Sequence, residues 1–236
     1  MHWQIACDFD GTIAMEDVTD SLLAAFAAPS WQDIETEWRT GRIGSRECMA
    51  RQVALLHCGP EDLDRRIDQV KIDSGFPAFV RYCEAQGVPL RILSDGLDYA
   101  IRRILTRHGL GHLDVVANRL EILPKGRYQL GFPYASEACS AASGTCKCRN
   151  AGAAPEEERR TLLIGDGASD FCAAESADLI FAKDKLLAFA RDRALAHVEF
   201  ADFAEARRLL AALFARPDQP SGRMAANTMM EPALNG

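Results

Sequence analysis

The stretch Cys7-Asp8-Phe9-Asp10-Gly11-Thr12-Ile13 places two carboxylates one residue apart, directly after the short apolar run Trp3-Gln4-Ile5-Ala6. Such a run predicts a strand, and at its carboxyl end the side chains of Asp8 and Asp10 would point the same way. Two anions on one side of the backbone repel each other unless a cation lies between them. Mg²⁺ prefers carboxylate and carbonyl oxygens together with phosphate. The stretch therefore predicts a magnesium-dependent phosphoryl-transfer site.

Composition limits the kinds of partner. The chain has 236 residues with a net charge of −7, and it contains no dense run of Lys and Arg, so neither nucleic acid nor an anionic membrane is expected. The longest apolar stretch, residues 21–28, is too short to span a bilayer, and no signal peptide is recognised before the first strand. Eight cysteines, mostly scattered through helix and strand patterns, predict a reduced cytoplasmic protein.

The pattern of apolar residues changes along the chain. Residues 14–87 carry helix signals without strand-like alternation, whereas strands alternate with helices from residue 88 onward. The second pattern predicts an α/β fold, a Rossmann-like parallel sheet with right-handed crossovers. We assign residues 1–13 and 88–216 to this core, 14–87 to an inserted helical cap domain, and 217–236 to a flexible C-terminal tail. Individual helices are predicted over residues 31–39, 76–86 and 203–214.

Polar clusters follow three of the predicted strands. Beside Asp8 and Asp10, Ser94-Asp95-Gly96 follows the strand 88–93, and Gly165-Asp166-Gly167 follows the strand 161–164, with Asp170 shortly after. In parallel sheets ligands bind beyond the carboxyl ends of the strands. The clusters are therefore expected to meet in one site.

The order of these motifs is that of a known family. Asp8-x-Asp10-x-Thr12, Ser94, a lysine and Gly165-Asp166-x-x-x-Asp170 resemble the haloacid dehalogenase superfamily of phosphohydrolases over residues 3–215. The resemblance implies that Asp8 is the nucleophile that forms an aspartyl-phosphate and that Asp10 is the general acid and base. It also implies that Mg²⁺ is bound by Asp8, by the carbonyl oxygen of Asp10 and by Asp166, with support from Asp170.

Phosphate contacts are implied as well, from Thr12, Ser94, the backbone near Gly96 and a lysine. Lys125 and Lys147 are the candidates for the lysine. Lys147 is chosen because it precedes the segment that leads into the strand 161–164, where the family has its phosphate-binding lysine. Lys125 lies in a predicted hairpin turn, where solvated lysines are common.

Asp10 and the cap residues bear on the substrate. A halide leaves without a proton, so the acid at Asp10 favours a phosphate ester or a phosphoanhydride over a haloacid. The helical cap resembles that of the phosphoserine phosphatase branch, but the position of the carboxylate-binding arginine there is Gln52, which cannot form a bidentate charged clamp. Arg51 lies about 100° away around the helix. Asp17 also stands where that branch carries Glu, so phosphoserine is disfavoured.

Three local runs are similar to the methionine-salvage phosphatases that act on 2-hydroxy-3-keto-5-methylthiopentenyl 1-phosphate. These runs are 12–17, 28–31 and the cysteine-rich 139–148. Phosphatases of phosphoethanolamine or phosphocholine are similar at the first motif, and acids and an aromatic ring of this chain could hold a cationic head. The predicted specificity residues are Glu16, Asp17, Trp31 and Gln52, with Asp20 as a further acid for a cationic head.

Other interpretations stay open from the sequence alone. A phosphotransferase on the same scaffold and a non-enzymatic, receiver-like phospho-acceptor are the competing function classes. The expected partner is a small phosphorylated metabolite, and a homodimer is one assembly that the sequence allows. Cys139, Cys146 and Cys148 are interpreted as reduced thiols, because a zinc site usually needs four ligands and a disulfide is not expected in the cytoplasm.

Overall fold

The computed structural model describes residues 2–139, 141–152 and 159–215. Within them the chain forms one seven-stranded sheet, in the order β4-β3-β2-β1-β5-β6-β7, in which only β4 runs antiparallel to its neighbour. The α/β fold predicted from the sequence is confirmed. The strands are β1 His2–Cys7, β2 Leu90–Leu97, β3 Asp114–Leu123, β4 Arg127–Gly131, β5 Arg159–Gly165, β6 Leu179–Ala182 and β7 His197–Glu199.

The strand β1 lies at the centre of the sheet and fixes the site. It pairs in parallel with β2 on one side and with β5 on the other, and Cys7 lies opposite both Ile92 and Ile164. Because parallel strands in matched register end at one level, the residues that follow β1, β2 and β5 are brought together. The last three residues of β1 are buried, as is expected for a parallel strand covered by helices on both faces.

Ten helices occur among the described residues. They are α1 Val18–Phe26, α2 Trp31–Arg39, α3 Ser45–Val53, α4 Pro60–Ile67, α5 Phe76–Ala85, α6 Asp98–Arg107, α7 Lys147–Asn150, α8 Phe171–Ala174, α9 Asp184–Asp192 and α10 Phe203–Phe214. The predicted bounds of α2 and α10 agree with the structure. Ser30 holds the N-cap position of α2 without a capping hydrogen bond, and Gly44 holds that of α3.

The helix α5 packs against α10, the last helix of the predicted α/β core. Its Phe76 and Phe79 make edge-to-face contacts with Phe203 of α10, at centroid distances of 4.8 and 5.2 Å. Asp73, just before α5, accepts a hydrogen bond from the backbone N–H of Phe203 at 3.1 Å. A helix belongs to the domain in which its apolar face is buried. We therefore propose that the inserted cap ends near residue 73, before α5, rather than at residue 87.

One strand includes residues that were expected to follow it. The strand predicted over residues 88–93 is β2 Leu90–Leu97, which continues through Ser94-Asp95-Gly96 with an irregular register between Leu93 and Leu97. The predicted C-terminal tail lies outside the described residues. No helix in the described part of the chain is both long and apolar enough to cross a membrane.

Candidate active site

Lys147 lies between two carboxylates beyond the ends of the central strands. Its ammonium nitrogen is 2.6 Å from Oδ1 of Asp8 and 2.7 Å from Oδ1 of Asp170, and it donates a 3.0 Å hydrogen bond to Ser169. Lys147 begins α7, whereas Asp170 ends the short 3₁₀ turn Ala168–Asp170 before α8. The structure thus brings together three predicted site residues from separate parts of the chain.

The same region holds more negative than positive charge. Ligand oxygens of Asp8, Asp166 and Asp170 all lie within 4.8 Å of one another. Three carboxylates outnumber the ammonium groups of Lys147 and Lys183 that act on them, so the cluster keeps a net negative charge that a divalent cation would balance. Carboxylate oxygens are the ligands that Mg²⁺ prefers, so the donor set fits this ion.

The protonation equilibria follow from burial and these charges. Burial raises the pKa of Asp8, and the nearby Asp170 carboxylate raises it further, while Lys147 opposes both. Burial alone would lower the pKa of Lys147, but the charges of Asp170 and Asp8 outweigh it and raise that pKa. Lys147 therefore stays positively charged, and its single charge does not balance the carboxylates beside it.

Gly11 and Thr12 position Asp166. Gly11 has φ +72°, and a Cβ there would lie 2.5 Å from Oδ2 of Asp166. The Thr12 hydroxyl donates a 2.6 Å hydrogen bond to Oδ1 of the same carboxylate. Thr12 was expected to contact phosphate, but in this structure its hydroxyl is committed to Asp166. Lys183, which sequence reasoning missed, donates a 3.4 Å hydrogen bond to the carbonyl of Thr12.

Asp10 lies in a different environment from Asp8. Its carboxylate accepts a 2.9 Å hydrogen bond from the backbone of Val18 and a 3.4 Å one from the Ser94 hydroxyl. Burial raises the pKa of Asp10 to about 7, with a further contribution from the charge of Asp17. A carboxyl group with a pKa near neutrality can both release and accept a proton. A Cβ at Gly96 would lie 2.6 Å from Oδ2 of Asp10, so the absence of a side chain at Gly96 leaves room for the Asp10 carboxylate.

Asp95 connects the β2 end to the segment that carries Lys147. Its Oδ1 accepts hydrogen bonds from the backbone of Thr145 at 2.8 Å and from Asn118 at 3.1 Å. Its Oδ2 accepts a 2.9 Å hydrogen bond from the Ser45 hydroxyl of α3. From the sequence, Asp95 was expected only as part of the polar cluster that follows the strand 88–93. No local signal in the sequence could have linked it to Thr145.

Gln52 is buried within the helical segment. Its amide donates to the carbonyl of Trp31 at 3.3 Å and to Oε2 of Glu35 at 3.1 Å. Trp31 is half-buried and packs against the core. The neighbouring Arg51 forms a two-point contact with Glu37, at 2.8 and 3.2 Å. Neither position therefore offers a free guanidinium group.

The acids that follow the first motif have different partners. Glu16 is paired with Arg66 of α4 at 2.6 Å. Asp17 caps α1, where its carboxylate accepts a 2.8 Å hydrogen bond from the backbone of Asp20. Both aspartates reach solvent but are crowded by protein, and this partial desolvation raises the pKa of Asp17 and that of Asp20, the latter to about 6. The charge of the nearby Glu35 raises both pKa values further.

A comparison with protein families gives one extended match. Residues 5–175 match the family described as haloacid dehalogenase-like hydrolase. A 2-hydroxy-3-keto-5-methylthiopentenyl-1-phosphate phosphatase of Bacillus velezensis is 28% identical over 209 residues, covering 86% of this chain and 87% of that protein. The phosphatase of the same name from Brevibacillus brevis is 28% identical over 207 residues, covering 86% of this chain and 93% of that protein.

Solved structures share the fold. A phosphoserine phosphatase with a phospho-aspartyl intermediate analogue superposes with a TM-score of 0.64 at 22% identity, covering 88% of this chain and 98% of that one. A probable phosphoserine phosphatase from Vibrio cholerae gives a TM-score of 0.67 at 22% identity, covering 91% of this chain and 66% of that one. At this identity the likeness concerns the fold.

Proposed function

This chain belongs to the haloacid dehalogenase-like hydrolase family and is a phosphatase, and we propose that it hydrolyses a small phosphate monoester through an aspartyl-phosphate at Asp8. The observation that carries the proposal is the contact of 2.6 Å between Lys147 and Asp8. A buried carboxylate beside a fixed cation can attack phosphorus while the ammonium group balances the charge on the phosphate oxygens.

Asp8 and Asp10 have separate tasks in this proposal. The Asp8 carboxylate forms a bond to phosphorus, and the bond between phosphorus and the alkoxide oxygen breaks. Asp10 donates a proton to that alkoxide and then takes one from the water that hydrolyses the aspartyl-phosphate. Its pKa of about 7 suits both directions of transfer.

The cofactor of the proposal is Mg²⁺. Asp8, Asp166 and the Asp10 carbonyl would hold it, with Asp170 supporting the site, and it would supply charge balance for the transferred phosphoryl group. Thr12 orients Asp166 through its 2.6 Å hydrogen bond. Lys147 and Ser94 are proposed to contact the phosphate oxygens, together with the backbone near Gly96.

The substrate that we propose is 2-hydroxy-3-keto-5-methylthiopentenyl 1-phosphate. Two phosphatases named for it each cover 86% of this chain at 28% identity. The cap residues are consistent with a substrate that has no carboxylate, since Gln52 replaces an arginine and Arg51 is held by Glu37. Phosphoserine would leave its carboxylate without a charged partner at these positions.

A phosphorylated amino alcohol, such as phosphoethanolamine, is the second candidate. The observation that favours it is the exposed pair of carboxylates Asp17 and Asp20 just after the first motif, whose pKa values are raised by partial desolvation and by other nearby acids. A cationic leaving group could pair with these carboxylates, and Trp31 lies at the start of the next helix. A neutral substrate would instead leave them hydrated.

A panel of phosphorylated metabolites assayed with Mg²⁺ tests the proposal. It should contain the methylthiopentenyl compound, phosphoethanolamine, phosphocholine and phosphoserine, with inorganic phosphate as the readout. Substitution Asp8→Asn should reduce turnover by at least about 10³-fold, and Asp192→Asn, at an exposed position, is the matched control. Turnover that survives Asp8→Asn would exclude Asp8 as the nucleophile, and rapid turnover of phosphoserine would contradict the interpretation of Gln52.

The remaining alternatives differ in where the phosphoryl group goes. A phosphotransferase would pass it to an added alcohol, so stoichiometric release of phosphate with water as sole acceptor argues against that activity. A receiver-like acceptor would be phosphorylated once without release. The homodimer and the cytoplasmic location stay predictions.

A further inference from the structure

Four thiols form a row beside the active site. Cys146 and Cys148 lie on either side of Lys147 in the chain, and their sulfur atoms are 3.4 Å apart. Cys139 is a hydrogen-bonding neighbour of Cys146, and Cys172 of α8 is a neighbour of Cys148. Cys146 is buried and Cys148 is exposed. The fold therefore adds a fourth cysteine to the three that are close in sequence.

The arrangement of the row differs from that of a zinc site. Tetrahedral zinc with Zn–S bonds of about 2.3 Å needs sulfur atoms about 3.8 Å from one another in all pairs. Among the described residues, the group of three or more metal-ligating side chains within 4.8 Å consists of Asp8, Asp166 and Asp170, and no cysteine trio satisfies that limit. A single close pair of sulfurs suits a reaction between two thiols.

We propose that Cys146 and Cys148 are a reversible redox pair, whose disulfide displaces Lys147 from Asp8 and thereby suppresses the phosphatase. The proposal rests on the proposed function for its effect on activity, but disulfide formation itself does not. Cys148 is the thiol that an oxidant in solution reaches, and Cys146 is the buried partner already in contact with it.

The backbone hydrogen bonds around Lys147 explain why formation of the Cys146–Cys148 disulfide would disturb the active site. Asp95 holds the amide of Thr145 at 2.8 Å, and Asn150 donates a 2.8 Å hydrogen bond to the carbonyl of Cys146. A disulfide needs the sulfurs at about 2.05 Å with a torsion near 90°. Because Cys146 is buried, this adjustment falls on Cys148 and on the peptide units of Lys147 between them. A shift of about 1 Å at a catalytic group can cost about 10²-fold in rate.

The oxidation is balanced with a peroxide as the oxidant. The thiolate of Cys148 attacks one oxygen of hydrogen peroxide, so an S–O bond forms, the O–O bond breaks and, with a proton, water leaves. The Cys146 sulfur then attacks the sulfenic acid, so the S–S bond forms, the S–O bond breaks and a second water leaves. Two thiols and one peroxide thus give one disulfide and two waters, and an added dithiol reverses the change.

The sequence provides a direct assay for this disulfide. Trypsin cleaves after Lys147 and after Arg149, so Cys148-Arg149 is released as a dipeptide unless it is tied to the peptide 128–147. The full chain treated with hydrogen peroxide should lose about 2 Da relative to the reduced chain. Its unreduced digest should contain the linked peptides, and dithiothreitol should separate them.

Matched cysteine variants identify the pair. Cys148→Ser and Cys146→Ser should form no such link and should keep their phosphatase activity in peroxide, whereas wild type should lose about 10²-fold and recover with dithiothreitol. Cys172→Ser and Cys139→Ser are the controls, because each leaves the close pair intact and should behave as wild type. A link that persists in Cys146→Ser, or that disappears in Cys172→Ser, would overturn the assignment.

Lysine labelling gives a readout that is independent of activity. Lys147 is 1% exposed, so an acetylating reagent should label it slowly in the reduced chain and faster in the oxidised chain. The proposal fails if the disulfide forms while both labelling and turnover stay unchanged. It also fails if the reduced chain is purified with one zinc ion per molecule bound by these thiols. Disulfide formation without any phosphatase activity in either state would contradict the proposed function instead.

Discussion

The ammonium nitrogen of Lys147 lies 2.6 Å from Oδ1 of Asp8, and both side chains are almost completely buried. These residues come from the central strand end and from a short helix late in the chain. A cation in this position neutralises the nucleophile between turnovers and is available to phosphate oxygens during them. Because Asp170 shares the same ammonium group, Lys147 connects Asp8 of the first motif to Asp170 of the last one.

Substitution Lys147→Ala should destabilise the protein as well as inactivate it. Loss of one partner from a buried ion pair costs about 3–5 kcal/mol, because the remaining charge has no compensation. Urea unfolding in the presence of EDTA measures this loss. Lys125→Ala is the matched control, since Lys125 is exposed in the β3–β4 turn and should change the free energy of unfolding by less than about 0.5 kcal/mol. Equal stability of the two variants would contradict the ion-pair assignment.

The pH profile should report the protonation of Asp10. The raised pKa of about 7 keeps Asp10 protonated well above the ordinary range of a carboxyl group, so kcat/KM should fall as the pH rises through about 7. Asp17→Asn removes a negative charge that raises this pKa, so the falling limb should move to lower pH. Asp33→Asn, at an exposed position of α2, should leave the limb in place. A limb that is identical in Asp17→Asn would exclude Asp17 as a determinant.

Alanine variants of two glycines with the same backbone conformation distinguish the effect of backbone strain from a direct effect on the active site. Gly11 and Gly41 have φ values of +72° and +73°, but only a Cβ at Gly11 would meet Asp166, whereas nothing lies within 4 Å at Gly41. Both alanine variants should lose about 1–2 kcal/mol of stability from the left-handed backbone. Only Gly11→Ala should lose turnover, by about 10²-fold. Comparable activity losses in both variants would indicate a general effect of strain.

Binding of Mg²⁺ should stabilise the fold. A ligand at 100 times its dissociation constant raises the free energy of unfolding by about 2.7 kcal/mol, so Tm should rise when Mg²⁺ is added to the EDTA-treated protein. Asp166→Asn should greatly reduce this rise because it removes one of the clustered carboxylates. Asp192→Asn is exposed and should retain the full rise. A Tm that does not respond to Mg²⁺ in the unmodified chain would exclude a magnesium site at these carboxylates.

Local patterns of apolar residues in the sequence determined most of the helices and strands. The amphipathic spacing in α2 and α10 is sufficient to predict their bounds, because a helix needs only one apolar face and clear stops. Asp8 and Asp166 could be predicted as site residues because each follows a buried run, and parallel strand ends meet at one edge. The motif order along the chain predicted the family, which the match over residues 5–175 confirms.

Tertiary structure alone decided which distant groups share a partner. The choice of Lys147 over Lys125 came from family resemblance, whereas the fold brings its ammonium group to Asp8 and Asp170. The bond from Asp95 to Thr145, the packing of α5 on α10 and the proximity of Cys172 to Cys148 have no local signature. Side-chain contacts between distant segments depend on strand register and helix packing, and both are fixed only when the whole core closes.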